Sequence, residues 1–257
     1  MAQEEIRVLR VQPSDPEQAF YARVEAAYEA QNPDVDVVFE YIANEAYKSK
    51  LPTLLQSDAR PDIFYSWAGQ TLVEQAEAGF LKDISGELPD EVRSTFPDAA
   101  LTAYTVDGAL HGLPLYATEV VFWVNTALTE EAGVDHTAIK TWDDLLAAVQ
   151  TMKDAGVTPI VVGGQDKWPL HFYWSYLALR EGGAEVVTAA MNGEDGGFEA
   201  EPFVAAGEEF QKLTEMEPFQ PGFMGTTYET ASGMFADGKG ALHLMGDWDY
   251  LPMRGRS

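Results

Sequence analysis

The 257-residue chain contains no cysteine, which excludes disulfides, thiolate zinc sites, iron–sulfur clusters and cysteine nucleophiles. It is also poor in basic residues: 16 Lys and Arg stand against 42 Asp and Glu, giving a formal net charge of −26. Nucleic acids and anionic membrane surfaces are bound through clustered Lys and Arg, so neither is predicted as a partner. A saline habitat accounts for the acidity as well as a function does, so charge alone does not indicate a role.

Long apolar runs are missing as well. No stretch approaches the roughly 18 residues that a membrane span needs, so direct membrane insertion is not predicted. The first five residues lack the basic and apolar regions of a signal peptide. We therefore expect either a cytosolic protein or a mature exported protein behind a new initiator methionine. The four histidines show no metal-ligand spacing, and neither a metal nor another cofactor is predicted.

The apolar pattern alternates between short β-type runs and helical runs, which is typical of an α/β fold with largely parallel sheets. The predicted strands are 6–11, 35–42, 61–65, 109–115, 119–125, 157–162 and 241–245. The predicted helices are 16–30, 45–57, 69–79, 88–104, 142–155, 168–181, 184–192, 202–216 and 228–237.

Several residues mark the ends and breaks of these elements. Ser14 or Asp15 is predicted to cap the first helix, and Thr141 to cap the helix that follows it. Pro52 is expected to kink or split its helix, because proline lacks the N–H that an interior turn needs. Further signals are a break at Pro97, a turn at Asp107-Gly108, and one apolar face on the first helix formed by Phe20, Val24, Ala27 and Tyr28.

Three tryptophans lie where ligands bind in open α/β sheets, outside the carboxyl ends of the strands. Trp67, Trp168 and Trp248 follow a predicted strand or lie in a strand–helix loop beside Gly, Pro or polar residues. Flat rings stack on the C–H faces of sugars, while carboxylates and amides bind the hydroxyls. The polar candidates beside them are Asn44, Asp62, Glu119 and Asp247, whereas Phe122, Trp123, Phe172 and Trp174 are predicted to be core.

A family resemblance rests on the order and spacing of several segments, none of them specific alone. The segments are Pro-Asp-Val-Asp-Val at 33–37, Tyr-Lys-Ser-Lys-Leu at 47–51, Pro-Asp-Ile-Phe-Tyr-Ser-Trp at 61–67, Glu-Ala-Gly-Phe-Leu at 77–81, Gly-Ala-Leu-His-Gly-Leu-Pro at 108–114, Phe-Trp-Val-Asn at 122–125, Thr-Trp-Asp-Asp-Leu at 141–145, and Gly-Lys-Gly-Ala-Leu through Trp248 from 238. Over about residues 5–250 the chain resembles the extracellular solute-binding proteins of carbohydrate ABC transporters, the family that includes maltose-binding protein.

The resemblance implies two α/β lobes, residues 1–115 and 116–257, joined by strands that cross over near 113–125. It implies capture of a carbohydrate in the cleft between the lobes, delivery to an ABC permease of the inner membrane, and no catalysis. A periplasmic location, with the signal peptide removed, is implied too. The ligand-binding residues that it implies are Ser14, Asp15, Asn44, Trp67, Thr118, Glu119, Trp168, Asp247 and Trp248, with Glu45 as a looser assignment.

The sequence departs from the family at its end and leaves other functions open. Family members run well past the Gly-Asp-Trp segment, whereas this sequence ends at Ser257. Truncated lobes of this kind are expected to leave sheet edges and apolar faces exposed. The alternatives are a receptor for a polyol or a glycerol phosphodiester, a glycoside hydrolase using two carboxylates, and a fragment that binds nothing.

Overall fold

The computed structural model describes residues 3–255, which form two compact units that meet in sequence at Ala117 and Thr118. The elements of the first unit are β1 (Glu4–Val11), α1 (Asp15–Gln31), β2 (Val35–Ile42), α2 (Asn44–Leu55), β3 (Ile63–Phe64), α3 (Gln70–Glu77), α4 (Asp90–Arg93), α5 (Asp98–Thr102), β4 (Thr105–Val106) and β5 (Ala109–Leu110).

The first unit is built on a parallel sheet in which β1 lies between β2 and β3. β1 pairs with β2 along its whole length, from Glu4 opposite Val35 to Val11 opposite Ile42. β3 pairs with β1 only at Ile63 and Phe64. Because all three strands are parallel, their carboxyl ends lie at one edge of the sheet, and the loops that follow them meet there.

The core of this unit lies between the sheet and α2. Leu9 packs against Tyr47, Leu51 and Leu55, and all four side chains are buried. The predicted split at Pro52 is wrong, because α2 continues through the proline to Leu55. Pro52 lacks the N–H that would donate to the carbonyl of Lys48, and it lies in the last turn, so only three residues of helix follow it.

The first helix is capped as predicted, but its apolar face does not pack on the sheet. Ser14 is the N-cap, and its backbone N–H and hydroxyl both donate to the carboxylate of Glu17. Tyr21 provides the contact with the sheet, with its ring 5.5 Å from that of Phe39. The exposed residues of α1 include Phe20, Val24 and Tyr28, at 50%, 43% and 46% of their surface. The face predicted from the sequence therefore exists, and the first unit leaves it uncovered.

Two later segments of the first unit differ in extent from the sequence prediction. The predicted helix 88–104 is two short helices, α4 and α5, with Pro97 directly before the second. The predicted strand 109–115 is confirmed only at β5, which forms a hairpin with β4 around the predicted turn at Asp107-Gly108. Pro114 has no N–H to donate to a neighbouring strand, which disfavours a longer β5.

The second unit contains β6 (Val120–Val124), α6 (Thr126–Glu131), α7 (Trp142–Asp154), α8 (Trp168–Met191), α9 (Glu201–Glu215), α10 (Tyr228–Ala236), β7 (Leu242–Gly246) and α11 (Tyr250–Arg254). β6 and β7 are antiparallel, with Val120 opposite Gly246 and Val124 opposite Leu242. Its main core includes Val149, Met152, Ile160, Tyr173, Leu213 and Leu242.

The predicted strand 157–162 is an extended segment with isolated bridges at Ile160 rather than a full strand. Ile160 bridges in parallel to Leu242 on one side and to Phe219 on the other. Pro159 cannot donate to a ladder. At Val162 the partner is a side chain, since the amide of Gln220 bonds both the N–H and the carbonyl of that residue.

The helices of the second unit follow the prediction closely. Thr141 caps α7, as predicted. The predicted helices 168–181 and 184–192 are the two parts of α8, interrupted at Gly183 by a non-helical conformation. α9 and α10 begin within one residue of their predicted starts at 202 and 228. Local signals were sufficient here because capping and apolar periodicity are set within a few residues.

Candidate ligand-binding site

Four of the predicted site residues lie at the carboxyl edge of the sheet in the first unit. Ser14 and Asp15 follow β1, Asn44 begins the helix after β2, and Trp67 follows β3. Ser14 is engaged in capping α1, while Asp15 is exposed in the first turn of that helix. The parallel topology thus brings these four residues to the same edge, which the sequence could indicate only through the predicted strand ends.

A polar cluster surrounds Asn44. Its side-chain amide donates to the carboxylate of Glu45 over 2.7 Å, and the same carboxylate pairs with the ammonium of Lys48 at 2.8 Å. The Lys48 ammonium also lies 5.7 Å from the centre of the Trp67 ring. Lys48 was not predicted as a site residue. Its position shows that the Trp67 ring lies close to a charged group that is itself paired with Glu45.

Trp67 has a structural role as well as an accessible position. Its ring is half-buried and packs edge-on against Tyr47 at 6.0 Å and Tyr65 at 5.1 Å. The Tyr65 hydroxyl lies 3.3 Å from that of Tyr116. Burial, together with the hydrogen bond to Tyr116, raises the pKa of Tyr65 well above its ordinary value, so this phenol stays neutral. Neither Tyr65 nor Tyr116 was predicted as a site residue, although Tyr65 lies only two residues before Trp67.

The second unit brings four aromatic rings together. Trp168 lies 4.8 Å from Tyr228, 5.5 Å from Phe172 and 6.5 Å from Trp248, measured between ring centroids. Phe172 lies 6.4 Å from Trp248, which closes the group. We call Trp168, Phe172, Tyr228 and Trp248 the aromatic cluster. All four rings are partly exposed, so the cluster presents ring surface to solvent.

Two of the four members of the aromatic cluster were predicted from the sequence. Trp168 and Trp248 were predicted as ligand-binding residues from their positions after strands, and in the structure their ring centroids lie 6.5 Å apart. Phe172 was assigned to the core; it does pack against the core, and it also contacts Trp168 and Trp248. Tyr228 was not singled out, because it begins a helix 60 residues after Trp168 and nothing local links the two.

Gly246 permits the position of the Trp248 ring. A β-carbon at this residue would come within 2.2 Å of the Trp248 ring, closer than any side chain tolerates. The indole therefore folds back over the backbone at the end of β7. The next residue, Asp247, is exposed and its N–H donates to the carbonyl of Glu119 over 2.9 Å. This bond confirms that Glu119 and Asp247, predicted separately, are neighbours.

The loop that carries Trp168 is fastened to the start of α10. A β-carbon on Gly163 would come within 2.7 Å of the Tyr228 backbone nitrogen, so glycine allows the two chain segments to touch. The Asp166 carboxylate accepts a hydrogen bond from that nitrogen at 2.6 Å. Thr118, the remaining predicted residue, is exposed at the start of the unit, and no hydrogen bond of its side chain is seen.

Other kinds of site find little support in the structure. Within residues 3–255 no group of three or more His, Asp or Glu side chains is placed to hold a metal ion. In the same residues no helix is both long and apolar enough to cross a bilayer. A surface pocket of about 420 Å³ is lined by Trp123, Phe235, Tyr250 and Met253, none of which is a predicted site residue. The convergence of rings and carboxylates therefore favours the aromatic cluster as the candidate site.

Comparison with known proteins identifies the class. The family model of the bacterial extracellular solute-binding proteins matches residues 13–255, nearly the whole chain, and the protein belongs to that family. An uncharacterised ABC transporter extracellular-binding protein of Pyrococcus horikoshii is 26% identical over 202 residues, 78% of this chain and 45% of that protein. A probable sugar-binding periplasmic protein of Mesorhizobium japonicum is 28% identical over 183 residues, 70% of this chain and 43% of that protein.

A solved structure agrees with these relatives. It comes from work on xylan utilisation by Caldanaerobius polysaccharolyticus, is 28% identical, and superposes with a TM-score of 0.88 over 95% of this chain and 62% of its own. The chain thus spans about half the length of the curated relatives that it matches. The predicted α/β solute-binding fold is confirmed.

Proposed function

We propose that the chain is the sugar-binding component of an ABC importer, and that its aromatic cluster holds a sugar or oligosaccharide. The observation that carries the proposal is the convergence of four partly exposed rings: Trp168 lies within 6.5 Å of Phe172, Tyr228 and Trp248, and Phe172 lies 6.4 Å from Trp248. Aromatic faces bind the C–H surfaces of sugar rings, and this requirement explains why rings are exposed here rather than buried.

The polar groups beside the cluster favour a neutral ligand rich in hydroxyls. Asp166 and Asp247 flank the two tryptophans in the chain, and Glu119 is bonded to Asp247 through the backbone. Carboxylates accept hydrogen bonds from sugar hydroxyls but repel phosphates. A polyol and a glycerol phosphodiester are both outcomes of the test below, since the exposed Lys167 directly before Trp168 is a cation beside the cluster.

The other predicted contacts belong to the same proposal. Asn44 and Trp67 are proposed to bind ligand hydroxyls and ring faces in the first unit, with Ser14 and Asp15 beside them and Thr118 and Glu119 at the start of the second. We also propose that the two units correspond to the two lobes of the family, that a membrane permease is the partner, and that the protein works outside the cytoplasm. Family membership supports these proposals.

A thermal melt with intrinsic fluorescence, repeated over mono- and oligosaccharides, tests the proposal. A binding sugar at 100 times its Kd adds about 2.7 kcal/mol to the stability, which raises Tm. Trp248→Ala should abolish most of the affinity while changing the Tm of the free protein little. Retained affinity in this variant would remove the cluster from the site, and binding of a phosphodiester alone would overturn the sugar assignment. Release of product from a chromogenic glycoside would instead indicate a hydrolase.

A further inference from the structure

A fully buried carboxylate lies next to Trp248 in the chain. Asp249 has no exposed surface, and its two oxygens are held by different hydroxyls. The Tyr228 hydroxyl donates to Oδ1 over 2.5 Å, and the Ser232 hydroxyl donates to Oδ2. Burying a carboxylate is costly unless donors satisfy it, so these hydroxyls fix where the residue sits.

His243 completes the surroundings of Asp249. Its Nδ1 lies 2.8 Å from the carbonyl of Val161, which can only accept, so Nδ1 carries the proton and donates. Its Nε2 lies 3.6 Å from Asp249 Oδ2 and 3.5 Å from Ser232 Oγ. Ser, His and Asp are therefore together, but Ser232 donates to the aspartate and all three are buried. This arrangement holds the chain in place and offers no accessible nucleophile.

Tyr228, itself a member of the aromatic cluster, links Asp249 to the rest of the cluster through its hydroxyl, its ring and its backbone nitrogen. Its hydroxyl binds Asp249, the residue after Trp248. Its ring packs on Trp168, and its backbone nitrogen binds Asp166 in the loop that carries Trp168. Burial and the nearby Asp249 charge raise the pKa of Tyr228 above its ordinary value, and a hydrogen bond with the Trp248 side chain lowers it by a smaller amount. The phenol is thus a permanent donor at neutral pH.

We propose that the hydrogen bond between Tyr228 and Asp249 positions Trp248 against Trp168 for ligand binding, so that Asp249 is a positioning residue that touches no ligand. This inference rests on the proposed sugar-binding function, and it adds the hydrogen bond that sets the distance between the two indole rings. The 6.5 Å between their centroids is set from both sides, because Tyr228 holds the Trp168 loop and the turn after β7 at once.

The test compares two variants that each remove one hydroxyl from the same carboxylate. Tyr228→Phe keeps the ring on Trp168 and the backbone bond to Asp166, but it releases Asp249 Oδ1 and removes the hydroxyl that is bonded to the Trp248 side chain. The Asp249 variants below separate these two losses. Ser232→Ala releases Oδ2 and leaves the tie to Tyr228. We expect Tyr228→Phe to weaken sugar binding roughly tenfold, the usual size of a lost hydrogen bond to a charged group. Ser232→Ala should lower Tm about as much as Tyr228→Phe does, but it should change the sugar affinity less than twofold. Equal effects of the two variants on affinity would overturn the proposal.

Two further measurements separate positioning from general destabilisation. Tyr173→Phe is the control for loss of a tyrosine hydroxyl outside the aromatic cluster: it should leave affinity unchanged and should not lower stability, since that hydroxyl is buried without a partner among residues 3–255. Asp249→Asn keeps the shape of the side chain and one acceptor, so it should recover part of the affinity that Asp249→Ala loses. If a folded Asp249→Asn variant recovers none of the sugar affinity, the acceptor oxygen of residue 249 does not position Trp248.

A readout without ligand distinguishes failure of this inference from failure of the sugar assignment. Trp168 and Trp248 are close enough for their indole transitions to couple, giving a paired signal in the circular dichroism of the free protein. Tyr228→Phe should reduce that signal, and Ser232→Ala and Tyr173→Phe should leave it. If no sugar binds but the signal falls as expected, the proposed function fails while the positioning bond stands. An unchanged signal in Tyr228→Phe would overturn the positioning role whether or not a sugar binds.

Discussion

At the scale of single residues, two buried polar atoms of the second unit stand without a hydrogen-bond partner among residues 3–255: the Tyr173 hydroxyl and the Trp142 indole N–H. Tyr173 lies in the main core, where its ring stacks on Phe210 at 5.6 Å. Burial raises the pKa of Tyr173 well above its ordinary value, so the hydroxyl is neutral and unsatisfied. The ring contributes packing here, while the oxygen carries only the cost of desolvation.

Tyr173→Phe should therefore raise the free energy of unfolding by about 1 kcal/mol, because it removes an unpaired polar atom and keeps the ring. Urea denaturation monitored by fluorescence measures the change. Tyr176→Phe is the matched control, since the Tyr176 hydroxyl donates to the Val120 carbonyl over 2.7 Å and its loss should lower stability by a similar amount. A fall in stability for Tyr173→Phe would show that its hydroxyl has a partner after all.

Gly246→Ala should weaken sugar binding more than it lowers stability, because the added methyl occupies the place of the Trp248 ring and forces it away. Gly207→Ala is the comparison: its β-carbon meets open space in α9 and should stabilise that helix by about 1 kcal/mol. Calorimetric titration with the sugar identified in the melt gives both affinities. Unchanged affinity in Gly246→Ala would mean that the Trp248 ring does not touch the ligand.

At the scale of secondary-structure elements, α7 shows how a local signal fixes a helix start. The Thr141 hydroxyl oxygen accepts from the Asp144 N–H at 3.1 Å, and the Asp144 carboxylate accepts from the N–H groups of Thr141 and Lys140. These hydrogen bonds lower the pKa of Asp144. The reciprocal bonds explain why the start of this helix was predicted to the residue.

Thr141→Ala should lower the free energy of unfolding by about 1 kcal/mol, the usual cost of losing a capping hydroxyl. Thr188→Ala on α8 is the control, because its exposed hydroxyl donates only to the carbonyl four residues earlier. Chemical denaturation of the two variants side by side measures the difference. Equal losses would show that the cap contributes nothing beyond an ordinary threonine.

The lowered pKa of Asp144 gives this cap a defined pH dependence. A carboxylate whose pKa is lower in the folded state stabilises the protein above its ordinary pKa of about 4, and that contribution is lost as pH falls through the lowered value. Asp144→Asn should therefore lower the free energy of unfolding at neutral pH. The difference in stability between variant and parent should then shrink as the pH falls. Melts from pH 7 down to pH 3 test this, and a gap between variant and parent that is constant over this range would contradict it.

At the scale of the whole molecule, the net charge of −26 produces self-repulsion that few cations relieve. The ion pairs seen in residues 3–255 that join Lys or Arg to Asp or Glu all involve at least partly exposed side chains, as in Arg7–Glu40 and Lys82–Glu87. Pairs of this kind contribute little stability. The net charge therefore makes stability depend on the ionic strength of the medium.

Sodium chloride should raise Tm steadily between low ionic strength and about 1 M, where the screening length falls to about 3 Å. Screening removes repulsion among 42 acidic groups, whereas it costs only the weak surface pairs. Potassium chloride should give the same curve, because the effect depends on ionic strength alone. A Tm that falls with salt would show that the exposed ion pairs outweigh the repulsion.

Elements with local signals could be predicted from the sequence alone. The β-branched run 35–42, the caps at Ser14 and Thr141, and the strand–loop positions of Trp168 and Trp248 all predicted what the structure shows. These features depend on neighbours within a few residues, where propensity, capping and periodicity act.

Contacts between residues far apart in the sequence are seen only in the folded chain. It placed Tyr228 between Trp168 and Asp249, left the apolar face of α1 uncovered, and gave Val162 a side-chain partner in Gln220 instead of a strand. The contact of Asp166 with Tyr228 spans 62 residues, and no local pattern encodes a pairing over that distance. Such pairings are fixed by how helices and strands pack, so Trp168 and Trp248 could be singled out from the sequence, whereas their contacts with each other and with Tyr228 could not.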